Sequence, residues 1–132
     1  MNEKWEKIEG LIDKAERDLK AAEVLLKNEE ADFHSRNICF HCQQCVEKYL
    51  KAYLIHKDVH APRTHDLLYL LELCSDFDDH FKTFELVGFS SFGVDIRYER
   101  PVPILDEARE SLQSTYQIVG YVKVRLDAEG VK

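Results

Sequence analysis

The densest run of polar and nucleophilic side chains in this sequence is Phe40-His41-Cys42-Gln43-Gln44-Cys45-Val46-Glu47-Lys48-Tyr49-Leu50-Lys51-Ala52. Within it Gln44, Glu47 and Lys51 stand at i, i+3 and i+7, which is one side of an α-helix. On a solvated edge such a strip amounts to a Glu47–Lys51 ion pair worth ~0.3 kcal/mol. Inside a helix interface its hydrogen bonds would fix register. The solvated edge is the simpler expectation, because isolated ion pairs are mostly surface features. Cys39, Cys42 and Cys45, with His41 among them, invite a metal reading. On a helix, cysteines at that spacing advance around the axis and cannot all face one ion, and Cys74 stands alone. Small buried apolar residues are the better account, and neither a metal nor another cofactor is expected.

Thr64-His65-Asp66 is a second cluster with chemical content. One reading makes His65 a general base with an orienting carboxylate. The favoured reading is structural: Thr64 caps a helix, Asp66 suits its positive end, and His65 bonds a neighbouring helix. His56 and His60 flank a loop and are expected in solvent. The five glycines, at 10, 88, 93, 120 and 130, are too scattered for a phosphate-cradling loop, and no Ser-containing nucleophile elbow is present.

Helices must position these residues. Asn2 is a plausible N-cap, and Trp5, Ile8, Leu11, Ile12, Ala15, Leu19, Ala22, Leu25 and Leu26 recur at helical spacing among charged residues. That predicts an amphipathic helix over residues 3 to 28, in which Gly10 would mark a close helix contact. A turn at 29 to 31 and a cap at Asp32 predict a second helix running to His56. Its apolar residues cover more than one face, the pattern of a central or interfacial helix. Lys57 to Arg63 reads as a loop, and Leu67, Leu68, Leu70, Leu71 and Leu73 as a third helix. Residues 76 to 92 read as a short helix and an aromatic-rich connection. Pro103 suits the first turn of a last helix through Leu105, Leu112, Val119 and Leu126. Four main helices with short links predict an all-α bundle in one domain.

Composition narrows the function classes. The chain has 132 residues, 45% apolar and 33% charged, a globular balance that fits a single domain. A net charge of −7 disfavours a broad nucleic-acid footprint while leaving room for RNA at a local basic spot. No apolar run approaches the length of a membrane span, the first residues lack a signal-peptide core, and the cysteines suit reduced thiols, so a cytoplasmic protein without membrane contact is expected.

Three stretches carry a resemblance. Gln43-Gln44-Cys45-Val46-Glu47-Lys48-Tyr49-Leu50-Lys51-Ala52 resembles the QQA-EK-LKA core of HEPN domains, with Cys45 in place of the usual Ala. Thr64-His65-Asp66-Leu67 looks like their THDL element, and Asp95-Ile96-Arg97-Tyr98 like their late aRY element. The first helix, with Ala15, Asp18, Leu19, Ala21 and Leu25, is similar to theirs. The likeness spans about residues 8 to 126. It implies a four- to five-helix up-and-down bundle, usually homodimeric. Prokaryotic members are often encoded beside a minimal nucleotidyltransferase as toxin and antitoxin. Active members are metal-independent endoribonucleases whose motif is an Arg separated from a later His by four to six residues.

Arg97 matches that Arg, but residues 102 to 104 are Val, Pro and Ile, and the His is absent. The usual proton acceptor for a ribose 2′-hydroxyl is therefore missing, and Tyr98 is a poor base at neutral pH. Arg97 and Arg100 retain the chemistry to hold a phosphate. Arg36 and His41 satisfy the pattern as text, but they stand on the second helix, about 140° apart around its axis. Three expectations follow from the resemblance: the HEPN component of a toxin–antitoxin-type module acting with a nucleotidyltransferase partner; an endoribonuclease with a degenerate motif at Arg97 and Tyr98; and a non-catalytic, nucleotide-binding helical dimer.

Overall fold

The computed structural model describes residues 2–86 and 104–129, and among these the regular structure is helical without a strand. The α-helices are α1 (Glu3–Leu26), α2 (Ser35–His56), α3 (Leu67–Ser75) and α4 (Leu105–Ala128), with 3₁₀ turns at Ala31–His34 and Asp79–Thr83.

Helix α1 starts where Asn2 Oδ1 accepts the Lys4 N–H at 2.8 Å, a cap worth about 1 kcal/mol. Its apolar recurrence is a single stripe. Ile8, Ala15, Leu19 and Ala22 are buried, and Trp5, Ile12, Leu25 and Leu26 pack partly buried along the margins. Gly10 lies elsewhere: a Cβ built there would meet nothing within 4 Å, so the expected close helix contact is absent.

Helix α2 begins at Ser35 rather than at the expected Asp32 cap. A 3₁₀ turn intervenes, and the Ser35 hydroxyl donates to the Asp32 carbonyl at 2.9 Å. The far end closes with Asp58 N–H on the Ile55 carbonyl and Val59 N–H on the Leu54 carbonyl, both at 2.9 Å. Asp58 takes φ 63°, the left-handed position that such a helix end requires.

The other helices surround α2. Asp18 meets His41 and Lys48 while Lys4 meets Asp58, so α1 runs antiparallel to it. Cys39 meets Ser111 and Lys57 meets Glu129, so α4 runs parallel to it. Cys74 of α3 donates its thiol to the Leu50 carbonyl. This is why α2 is apolar on several sides: Ile38, Cys42, Val46, Tyr49, Leu50, Tyr53 and Leu54 are fully buried within the chain. Tyr53 is a core residue packed on Phe81 with ring centroids 4.7 Å apart.

Helix α3 is capped by Asp66, whose Oδ1 accepts the Tyr69 N–H at 3.2 Å. The expected cap, Thr64, makes the preceding turn, with Oγ1 accepting the Asp66 N–H at 3.1 Å. Extended backbone at Asp66 delays the first helical residue to Leu67, beyond the reach of Thr64. At α4, Glu107 reaches back to accept the Ile104 N–H at 3.0 Å. Pro103, expected in that first turn, lies outside the described residues, as do Phe89, Phe92 and Gly93.

Candidate functional site

The strip on α2 is not a solvated edge. Glu47 is 5% exposed although it carries a carboxylate. Each of its oxygens has a cation or a ring N–H: Oε2 accepts from Lys51 Nζ at 3.0 Å, and Oε1 lies 2.9 Å from Nδ1 of His65. The Lys51 side chain is itself 15% exposed, whereas that of His65 is 72% exposed. The turn before α3 folds back over α2 and covers what helical spacing alone presents as an outer face. Burying a carboxylate costs several kcal/mol unless it is paired and hydrogen-bonded, and this one is both. The carboxylate that meets His65 is thus Glu47, eighteen residues earlier, and not the adjacent Asp66, which is committed to the helix cap.

One turn before Glu47, Gln43 is 5% exposed and its Oε1 has no hydrogen-bond partner among the described residues. Gln44, the first member of the strip, accepts from Lys48 Nζ at 3.4 Å. Lys48 reaches α1 as well, at 2.6 Å from Asp18 Oδ2, while Asp18 Oδ1 lies 2.9 Å from His41 Nδ1. Two histidine–carboxylate–lysine groups therefore flank the open side of α2: His41–Asp18–Lys48 against α1, and His65–Glu47–Lys51 against the turn before α3. Sequence inspection missed the first because Asp18 and His41 are 23 residues apart. The one available clue is that His41 and Lys48 share a helix face at i, i+7.

His56, expected in solvent, is a second correction. Its side chain is 12% exposed, and Nε2 lies 2.8 Å from Glu129 Oε1, a partner 73 residues away. Lys57 donates to the same oxygen at 2.8 Å. Burial pushes the Glu129 carboxyl up, but the hydrogen bonds from Lys57 and His56 more than reverse this and hold it down at about 2. Tyr121 donates to Asp78, whose carboxyl burial raises and that bond, with Arg125 nearby, lowers overall. These contacts tie the end of α4 to α2 and to the second 3₁₀ turn. His60 is exposed.

The cysteines fan out into the core. Cys39 faces α4, where Ser111 Oγ lies 3.5 Å from its sulfur, and Cys45 faces the acidic side chains of α1. All four are 0% exposed, and desolvation pushes the thiols of Cys42 and Cys74 up to about 12. No group of three or more metal-ligating side chains occurs among the described residues. Arg97, Tyr98 and Arg100, the expected catalytic and phosphate-binding residues, lie outside the described residues.

The arrangement can do three things chemically. It locks α2 to α1 and to the α3 turn through charge-assisted hydrogen bonds. It presents two imidazoles whose Nδ1 atoms are engaged by carboxylates. It leaves one buried amide oxygen, that of Gln43, without a donor among the described residues. The two stretches that resemble family elements, around residues 43–52 and 64–67, meet directly through Glu47 and His65.

Comparison with curated proteins found no match, and neither did comparison with solved structures. The HEPN domain family profile matches residues 8–125, which takes in most of α1, all of α2 and α3, and nearly all of α4. The chain therefore belongs to the HEPN domain family.

Proposed function

We propose that this chain is the HEPN component of a toxin–antitoxin-type module and acts through contact with a minimal nucleotidyltransferase. The observation behind this reading is membership of the HEPN family across nearly the whole chain. The absence of a His at residues 102 to 104 adds weight to a role that rests on protein contact. The net charge of −7 also suits a protein partner better than an extended nucleic-acid surface. The proposal includes a homodimer in the cytoplasm. No helix among the described residues is long and apolar enough to cross a membrane.

The test is co-expression with a minimal nucleotidyltransferase from the same genome, followed by size-exclusion chromatography with light scattering. A stable complex is expected, with growth arrest by the chain alone relieved by the partner. Separate elution of the two proteins and indifferent growth would sink the reading.

A second reading, metal-independent endoribonuclease, is favoured by Arg97, which stands where the family motif has its Arg. It is checked by incubating purified chain with total RNA in EDTA beside Arg97→Ala. Cleavage by the wild type alone supports it, and intact RNA in both rejects it.

A further inference from the structure

A neutral imidazole acts as a base through whichever ring nitrogen lacks a hydrogen, and the bond made by the other nitrogen decides which one that is. At His65 the choice is made by Glu47. Nδ1 lies 2.9 Å from Glu47 Oε1, and a carboxylate only accepts, so Nδ1–H donates and the lone pair sits on Nε2. The side chain of His65 is 72% exposed and that of Glu47 is 6% exposed, so a buried anion holds a ring that substrate can reach. The ring's backbone is fixed too. Thr64 Oγ1 takes the Asp66 N–H, and Asp66 Oδ1 takes the Tyr69 N–H. Lys51 Nζ, 3.0 Å from Glu47 Oε2, fixes the carboxylate from its other side. His41 makes the same contact with Asp18, but its side chain is only 30% exposed.

We propose that His65 is the general base of this domain, oriented by Glu47, and that it supplies the proton acceptor that residues 102 to 104 lack. The proposal rests on the endoribonuclease reading, and its substrate is single-stranded RNA. Nε2 of His65 takes the proton of a ribose 2′-hydroxyl as that oxygen forms a bond to the adjacent phosphorus. The bond from phosphorus to the 5′-oxygen of the next nucleotide breaks, its electron pair leaves on that oxygen, and solvent protonates it. The products are a 2′,3′-cyclic phosphate and a 5′-hydroxyl, and His65 releases its proton to water. His65 is the catalytic residue and Glu47 a positioning residue.

The experiment uses the full chain with a fluorescent RNA oligonucleotide in EDTA across a pH series. His65→Asn keeps an N–H for Glu47 and removes the base. It is expected to melt with the wild type yet cleave about a hundredfold more slowly or worse. His65→Ala should recover activity on addition of free imidazole. Glu47→Gln should slow cleavage and move the acid limb of the pH–rate profile, while His41→Asn should cleave as the wild type does. Wild-type cleavage by His65→Asn overturns the proposal and leaves the endoribonuclease reading standing. Loss of activity in His41→Asn but not in His65→Asn moves the base to His41 and overturns it as well. Intact RNA with the wild type overturns the endoribonuclease reading and the role of His65 with it.

Discussion

Replacing Glu47 by Gln probes whether the α2 strip is a buried network or a surface ion pair. The change keeps side-chain volume and removes one charge. Lys51, 15% exposed, then has no counter-charge, and His65 faces an amide in place of a carboxylate. Breaking a buried pair from one side costs about 3–5 kcal/mol. Lys51 has enough exposure to swing its ammonium toward water, which relieves part of that penalty and sets the expectation at about 2–3 kcal/mol. Urea unfolding reads the loss as a fall in midpoint of about 1–2 M at unchanged slope. A paired design isolates the cause. Glu47→Leu with Lys51→Met removes both charges and should return to within about 1 kcal/mol of the wild type, because an apolar pair of similar volume replaces a buried ion pair at little cost. A loss below about 0.5 kcal/mol in Glu47→Gln would refute the reasoning, since that is the scale of an exposed pair.

Gln43→Met should stabilise the fold by about 1 kcal/mol in the same assay, because it removes a buried acceptor that has no donor and keeps the length of the side chain. Glu129 has a folded-state pKa depressed from 4.5 to about 2, so its contribution to stability is complete above the ordinary carboxylate value and is lost as pH falls toward 2. After allowance for solvent screening that contribution is about 1–2 kcal/mol, and Glu129→Gln should flatten this part of the stability–pH curve. The four cysteines should resist a thiol-reactive chromophore in the native protein and all react in denaturant; rapid labelling without denaturant would contradict their burial. Phe40→Asp, at a side chain that is 49% exposed, should leave the melting temperature unchanged and convert a homodimer to monomer by light scattering if this side of α2 meets a second copy, whereas Tyr53→Asp should unfold the chain.

Helix α1 was legible because one stripe of apolar residues and one cap are local features, and each needs only the residues beside it. The two-residue delay of α2 was not, because Asp32 is as good a cap by type as any, and only the 3₁₀ turn at Ala31–His34 decides the matter. Thr64 and Asp66 show the same limit two residues apart. Both have capping side chains, and backbone geometry chooses between them. His56 and Asp18 fail differently. Their partners are 73 and 23 residues distant, and nothing in the intervening sequence marks a pairing that exists only after packing. Arg97 is the reverse case: its sequence context names it, while its surroundings are outside the described residues.

The several-sided apolar character of α2 admits two causes, a central place in one chain or a seam between two. Here the first accounts for it, since α1, α3 and α4 all pack on that helix and cover Tyr49, Tyr53 and Leu54 completely. Among the described residues, the partly exposed side of α2 carries Phe40, Gln44, Lys48 and Lys51, flanked by His41 and His65. Lys48 and Lys51 are already held by the carboxylates of Asp18 and Glu47, so whatever docks there meets side chains fixed in advance and loses less conformational entropy in ordering them. The same ion pairs that tie α2 to its neighbours therefore also fix the side chains that this partly exposed side presents.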